Sequence, residues 1–477
     1  MKEFCLLLFM LDFTKLTEEL KKPKREFELG EEQLQALSLI KDFIKNSKDI
    51  AFSLCGSAGT GKTTLEKEII DYLNEEWIDY SLCAPTHKAA LVMRQTTRED
   101  AITLHKLLSL SPNVEILDLD FRELEFRTSK VVNAIIPKSV VICDEASMIN
   151  DDLFDLLIKK CSDKKAKIIF LSDSKQLNPV KSRRCSKVYD LPNQFELTHI
   201  YRQAKESALT PLLAALREHK LGHLDSKQGE AGSLIVTSNM KEFLDAAKVQ
   251  FLEAIDKRNI LQTKVAAYTN TRVALFNQAI RKFLWTDDAP YHRGEFLTSY
   301  ENADFEGTMF YNSMDYVVAN EPEEVTTELP HFYTKVKGYL LDLWDAYDKF
   351  TKECFILSKD NPQSTFEQLA STLEAIRFRA IEAKQVSSFK ASLYWKQYYE
   401  LLHSFVTPVP LVYEGRVIRK KSFDYGYAST SHKLQGSTYE TIFVDLRNIN
   451  TCSDEVVKKQ LQYVALSRTR TDAYVLQ

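Results

Sequence analysis

The sequence predicts an α/β protein built on parallel sheets, and three observations carry that reading. An apolar run, Ile50 to Cys55, leads into Gly56-Ser-Ala-Gly-Thr-Gly61-Lys62-Thr63 and then into the helical pattern of Leu65, Ile69, Ile70 and Leu73. A second apolar run, Val140 to Cys143, delivers Asp144 and Glu145. A third, inside KAKIIFLSDSKQLNPV, ends in Asp173 and Gln176. Strands alternating with amphipathic helices argue for a parallel sheet covered on both faces, with its ligand at the strand C-termini.

The first run supplies the context that a G-x-x-x-x-G-K-[ST] motif requires: strand, glycine-rich loop, helix. Along Gly56, Ser57, Ala58, Gly59, Thr60 and Gly61, and into Thr64, backbone N–H groups are expected to wrap phosphates at a helix N-terminus, where the dipole favours anions. Lys62 should reach the β- and γ-phosphates of ATP, and Thr63 should bind Mg²⁺. The bland alternative is a glycine-rich turn without nucleotide, and the flanking strand and helix argue against it. The second run supplies the other carboxylates. Asp144 can hold the metal, usually through water, and Glu145 can polarise the attacking water. An acidic pair after an apolar run is common in loops, so its weight comes from the P-loop beside it.

The 477 residues suggest about three domains at roughly 150 residues each. A hydrophobic fraction of 44% and a charged fraction of 27% belong to an ordinary globular protein. The net charge of −4 excludes a polycation, so any nucleic-acid contact needs local basic patches. The eight cysteines are scattered and none has C-x-x-C spacing, which argues against zinc and redox motifs and for a reduced, intracellular protein. The opening MKEFCLLLFMLDF is shorter than a membrane span and lacks an A-x-A-like cleavage site. It reads as an over-extended start or an arm packed on the body, followed by a solvated KKPKR linker.

Eight motifs then fall in a telling order: Gly56–Thr63, APTHKAA, TLH, DEAS, SDSKQLNPV, YRQ, STSHKLQGS and YVALSRTR. Together they resemble the superfamily 1B DNA helicases, in the RecD-like and Dda-like branch, from Gln33 to Arg470. The resemblance implies two RecA-like P-loop NTPase domains with ATP in the cleft between them. It also implies a small β-hairpin insertion in the first domain, and a β-barrel plus helical-arm insertion in the second. The limits expected are an N-terminal arm over 1–26; a first domain over 27–108 and 139–210, interrupted by a hairpin or pin over 109–138; and a second domain over 211–293 and 422–477, interrupted by the larger insertion over 294–421.

The roles implied follow residue by residue. Gln33 resembles the glutamine that recognises adenine, with a solvated helix glutamine as the competing reading. Gln176 resembles a γ-phosphate sensor. Arg202 and Arg468 resemble two arginines that reach that phosphate, a surface ion pair being the rival reading of Arg202. Pro85, Thr86, His87, Thr103 and His105 resemble strand-contacting positions, as do Thr269 and Asn270 after the strand that opens KVAAYTNTRVALFNQAIRKFL. In STSHKLQGS, Thr430, His432 and Lys433 could contact DNA, or His432 and Lys433 could position Gln435 and Gly436 near ATP. SDSKQLNPV departs from the family pattern, with Ser172 and Asn178 where relatives carry Gly and Pro.

The hairpin region alternates Leu117, Leu119 and Phe121 with Asp118 and Asp120, which is strand-like. Phe121 or Phe126 could part the duplex by stacking on a base, or could be the hairpin's own core. In the larger insertion, DYVVANEPEEV and LVYEGRVIRKKSFDYGYA read as strands. KGYLLDLWDAYDKFTKEC and the segment from Phe366 to Val406 read as helices. Trp344, Tyr347, Trp395, Tyr398 and Tyr399 then fall at helical spacings and read as core. Arg416, Arg419, Lys420 and Lys421 form a candidate phosphate track, although strand edges also favour lysine.

The function expected is an ATP- and Mg²⁺-dependent DNA helicase moving 5′→3′ on single strands. Single-stranded DNA and duplex junctions would be its partners, with replication or recombination proteins besides. It would be a monomer, without a membrane, in the cytoplasm of a bacterium or phage-infected host cell. One rival is a P-loop ATPase that remodels protein–DNA complexes; another is a nucleic-acid-binding scaffold without turnover.

Overall fold

A computed structural model describes residues 29–116, 119–121, 125–128, 135–179, 185–200, 208–218, 220–347 and 349–477. The arm expected over 1–26 and the YRQ motif with Arg202 lie outside them.

The first sheet takes β1 (Ala51–Gly56), β2 (Tyr80–Ala84) and β3 (Ala101–Thr103) from before the hairpin. That hairpin is β4 (Leu110–Pro112) paired antiparallel with β5 (Phe126–Thr128). After it come β6 (Val140–Cys143), β7 (Lys167–Ser172) and β8 (Gln194–Leu197). The order is β3-β2-β6-β7-β1-β8, and every pairing is parallel. Burial on both faces explains the uninterrupted apolar runs. Ile142, Ile169 and Leu171 pack with Ile69 and Leu73 on one face, while their neighbours Val141, Ile168 and Phe170 pack with Leu157 and Cys161 on the other.

The second sheet is β9 (Leu234–Thr237), β10 (Thr263–Ala267), β21 (Ala428–Thr430), β22 (Tyr439–Asp445) and β23 (Thr469–Leu476), ordered β21-β10-β22-β23-β9 and again all parallel. Between β10 and β21 sits the insertion, whose main strands are β11 (Phe296–Ser299), β14 (Asp315–Val318), β15 (Glu323–Leu329), β16 (Phe332–Asp345), β17 (Thr351–Leu357) and β20 (Phe423–Tyr425). Two small hairpins decorate it, β12 (Ala303–Phe305) with β13 (Thr308–Phe310) and β18 (Leu411–Tyr413) with β19 (Arg416–Arg419). Antiparallel ladders run β20-β11-β14-β16-β17. The ring closes into a barrel through Val406 and Thr407: Leu357 N–H donates to Val406 O (3.0 Å) and Ser422 N–H to Thr407 O (2.6 Å).

One helix expectation is corrected. KGYLLDLWDAYDKFTKEC forms most of β16, a turn and the start of β17, not a helix. Leu341, Leu343 and Asp345 are buried while Asp342 and Trp344 are less so, a period of two that the dense apolar content also lets pass as helical spacing. The arm itself is helical, Gln363–Val386 then Ser388–Leu402, broken at Ser387, whose side chain accepts the Lys390 N–H. Inside the arm Arg377 is fully buried, paired with Glu374 at 2.6 Å. Its Nη1 donates to the carbonyls of Val114 (3.1 Å) and Ile116 (2.5 Å), so the first domain's hairpin loop rests on the second domain's arm.

Candidate nucleotide and strand site

Parallel order puts the C-terminal ends of β1, β6 and β7 side by side, and the P-loop leaves β1 there. Gly61 ends it at φ 78°, a left-handed conformation open to glycine. The helix Lys62–Glu75 that follows has no side-chain cap, which leaves its first N–H groups facing the loop. Lys62 Nζ folds back to donate to Gly56 O and, at 3.2 Å, to Ser57 O. Gln33 is 4% exposed, so it is not a solvated helix residue. Its Nε2 donates to Gly61 O at 3.3 Å, which packs it against the P-loop's end.

At the end of β6, Asp144 Oδ1 accepts the Glu145 N–H at 2.8 Å. Glu145 adopts φ 52°, left-handed in a non-glycine residue, the kind of strained position that clusters at functional sites. Burial, then the neighbouring Asp144, push its carboxyl up to about 7 against the pull of Arg468 and Lys62. Burial also raises Asp144. Glu66, one helix turn beyond Lys62, joins them: it is 1% exposed, its Oε1 has no hydrogen-bond partner, and burial and Asp144 push it up strongly. The sequence reading missed it; the signal was a glutamate on the apolar side of an amphipathic helix. Beside these, β7 ends in Asp173, 1% exposed, and Gln176, 5% exposed with its Oε1 unpartnered.

The second domain faces this cluster. Arg468 is 6% exposed, and its guanidinium is held by its own helix end through Val464 O (3.2 Å) and Ser467 Oγ (3.0 Å). Gly436 sits at φ 71°, and a Cβ there would lie 4.0 Å from Glu145 Oε1 and 3.8 Å from Ala89 Cβ. Gln435 Nε2 beside it is buried without a partner.

Lys433, three residues earlier, belongs to a different surface. It lines a cleft of about 400 Å³ with Asn270, Tyr300, Asn312, Lys420 and Lys421, the last paired with Asp424 of the same lining at 2.6 Å. Its Nζ lies 3.2 Å from the Tyr300 ring centroid and has no hydrogen-bond partner. Burial, then Lys421, push it down to about 7. One peptide therefore joins the carboxylate cluster to a cationic cleft.

Other strand-site candidates divide. Pro85, Thr86 and His87 follow β2, partly exposed. The Thr86 hydroxyl caps the next helix by accepting Ala89 N–H, and the His87 ring stacks on Tyr311 at 4.0 Å. Burial pushes His87 down to about 4. His105 packs against Phe126 at 4.7 Å. Thr269 caps the helix Asn270–Leu284, Asn270 is exposed at its start, and His432 is exposed near Tyr268.

Four expectations need correction. Thr103 is 6% exposed and its hydroxyl caps the short helix carrying His105, so it shapes that turn rather than meeting a strand. Thr430 is likewise buried, at the end of β21. Phe121 is neither in a strand nor free: it lies in a turn, half-buried, its N–H donating to Val417 O at 2.9 Å. Phe126 is the exposed hairpin phenylalanine, at 47%. Arg419 leaves the phosphate track, because it is buried against Glu301 (3.0 Å) and the carbonyls of Leu402 and Phe405.

A buried ion cluster escaped the sequence reading altogether. Asp315 of β14 bonds Lys264 of β10 at 2.9 Å and lies 3.8 Å from Lys88 of the first domain. Burial alone would raise Asp315, but Lys264 and Lys88 hold it below the usual carboxylate range.

A P-loop on one parallel sheet, facing a buried arginine delivered by a second across a cleft, defines a two-domain P-loop NTPase. Residues 28–237 match the family model of an AAA domain, and residues 425–476 that of a UvrD-like helicase C-terminal domain. The chain is 25% identical over 484 residues to the ATP-dependent DNA helicase dda of Enterobacteria phage T4, covering 94% of this chain and 99% of that one. It is 31% identical over 157 residues to the ATP-dependent RecD2 DNA helicase of Deinococcus radiodurans, covering 33% of this chain and 20% of that one. Its fold is that of the Pif1 helicase from Bacteroides solved with ADP-AlF3 and ssDNA, at TM-score 0.50 and 16% identity over 94% of this chain and 92% of that one. The chain thus carries an AAA domain and a UvrD-like helicase C-terminal domain, and its similarity to the dda and RecD2 helicases supports the superfamily 1B reading.

Proposed function

We propose that the protein couples ATP hydrolysis to 5′→3′ movement along single-stranded DNA and to duplex separation. The observation that carries the coupling is the peptide 429–437. Its Gly436 lies against Glu145 while its Lys433 lines the cationic cleft, so displacement at one end moves the other. In this reading the P-loop N–H groups and Lys62 bind the phosphates, Gln33 borders the base, and Glu145 orients and deprotonates water. Gln176 senses the γ-phosphate. Arg468, with Arg202 as its partner, stabilises charge on the transferred group. Thr63 and Asp144 are the residues that would hold Mg²⁺. Among the described residues no group of three acids or other ligands could hold a metal by itself, so the fit rests on Asp144 as a single buried carboxylate with the Thr63 hydroxyl, the phosphates supplying the rest. An ion held there would supply positive charge against the phosphates during transfer. Pro85, Thr86, His87, His105, Asn270, His432 and Lys433 supply the strand path, and Phe126 the hairpin's contact at a junction. Both halves of the nucleotide site come from one chain, so a monomer suffices.

The test is unwinding of 5′-tailed and 3′-tailed duplexes, each with and without a bound blocking protein. Displacement of the 5′-tailed substrate alone is expected. Displacement of the blocking protein without unwinding would transfer the protein to the remodelling class.

The cleft makes a second expectation. Single-strand affinity should fall with salt, each phosphate contact contributing about −0.7 to the slope of log K against log salt. Lys433→Ala should weaken binding and flatten that slope if Lys433 meets a phosphate. Loss of affinity with an unchanged slope would instead mean that Tyr300, released from the ammonium, loses a base-stacking role.

A further inference from the structure

Tyr463 is one of several residues that bond the two domains to each other, beside Arg377 at the hairpin loop and the Lys88–Asp315 pair. It is fully buried in the helix Glu455–Leu466 of the second domain. Its hydroxyl crosses the cleft. It accepts the N–H of Ala58, at the tip of the P-loop, at 2.9 Å, and donates to Asp173 Oδ2, at the end of β7, at 2.8 Å. The same P-loop residue is gripped from its other side, where Arg217 Nη2 donates to Ala58 O at 2.9 Å. Asp173 is itself fixed, accepting the Lys175 N–H at 3.0 Å.

The chemistry of the phenol suits this place. A hydroxyl can accept one bond and donate another at once, which a carboxylate, an ammonium or an amide N–H cannot do from a single atom. It is also uncharged, so it crosses a buried cleft without the desolvation cost of an ion. Arg468 lies five residues further along, and among the described residues its guanidinium bonds to the end of that helix, at Val464 O and Ser467 Oγ, and to no first-domain atom. Its direction is therefore set by the helix. At this level of the cleft the helix meets the first domain through the Tyr463 hydroxyl, at the P-loop tip and Asp173, and through Gln460, whose Nε2 donates to Asn178 Oδ1 at 3.2 Å.

We infer that Tyr463 is a positioning residue, which acts through Arg468 by fixing the distance from that guanidinium to the phosphates held by the P-loop. The two bonds tie the P-loop tip, the end of β7 and the arginine-bearing helix to one oxygen. Cleft opening breaks both together. Closure without them would leave the arginine's approach free to vary, and a misplacement of about 1 Å can cost on the order of 10²-fold in rate. The inference rests on the proposed hydrolytic role of Arg468.

The experiment is a double-mutant cycle on the full chain. Tyr463→Phe keeps the ring and removes only the hydroxyl. It should lower DNA-stimulated kcat by about tenfold to 10²-fold while KM for ATP and the Kd of a non-hydrolysable analogue change little. In the Arg468→Ala background the same substitution should have no further effect on kcat, because the group through which it acts is gone. Asp173→Asn, which weakens the acceptor from the other end, should give the same pattern at smaller size. An unchanged kcat in Tyr463→Phe overturns the inference. So does an equal loss in both backgrounds, which would place Tyr463 in a separate role. A loss of analogue binding with a lowered melting temperature also overturns it, in favour of general support of the P-loop. If Arg468→Ala alone turns over normally, the composite-site reading fails, and that failure is visible in the single variant.

Discussion

Lys62→Ala is expected to abolish DNA-stimulated ATP hydrolysis while leaving single-strand affinity within a few-fold. The ammonium sits at the mouth of the P-loop, where it bonds the carbonyls of Gly56 and Ser57. With phosphates present, it exchanges those neutral acceptors for anionic ones, and charge-assisted bonds are roughly twice as strong. Removing it takes away a flexible cation at the mouth of the P-loop, where charge grows during phosphoryl transfer. The cleft proposed for the strand lies elsewhere. Lys420, Lys421, Lys433 and Asn270 line a cleft on the second domain and its insertion, and no P-loop residue lines it. Steady-state kcat and a fluorescence-anisotropy Kd for an oligonucleotide, measured side by side, check the separation. A variant that is folded by circular dichroism yet no longer binds the strand would show that the two sites are one.

Local order made much of this site legible in the sequence. The P-loop needs a strand, glycines and a helix in succession, and Ile50 to Leu73 provides all three within one stretch of chain. Asp144 and Asp173 could be read because each ends a buried parallel strand, and parallel strands all present their C-termini on one side. What stayed hidden depends on contacts between distant segments. Lys264, Asp315 and Lys88 carry no motif, and only the meeting of β10, β14 and the helix after β2 makes them an ion cluster. Thr103 carries the right side chain for a strand contact, but its hydroxyl is engaged by Lys106 N–H, a local bond that motif matching does not weigh. Phe121 was misplaced because alternation over 117–121 resembles a strand, whereas the hairpin pairs 110–112 with 126–128. The run Tyr339 to Trp344 in β16 is apolar enough to satisfy both the helical and the strand period, and burial in the barrel decides between them.

Arg468→Ala should bind ATP analogues nearly normally and lose roughly 10³-fold or more in DNA-stimulated kcat, the range set by the absence of an arginine finger. The geometry separates ground-state from transition-state work. Among the described residues, the P-loop, Lys62 and Gln33 all belong to the first domain and grip the nucleotide's own side of the cleft. Arg468 arrives from the second domain, 6% exposed, and among the described residues its bonds run to Val464 and Ser467 of its own helix end. Its charge nonetheless reaches Glu145, whose carboxyl it draws down against burial and Asp144. A guanidinium in that position stabilises charge that appears only as the phosphoryl group moves, so kcat falls and nucleotide affinity does not. Arg468→Lys should recover little, because an ammonium lacks the planar fork that Ser467 and Val464 hold in direction. Both variants should retain strand affinity and fail to unwind. The measurement is kcat against analogue Kd for wild type, Ala and Lys together. Near-normal turnover in the alanine variant would sink the composite site, and with it the role assigned to the whole segment from Tyr463 to Arg470.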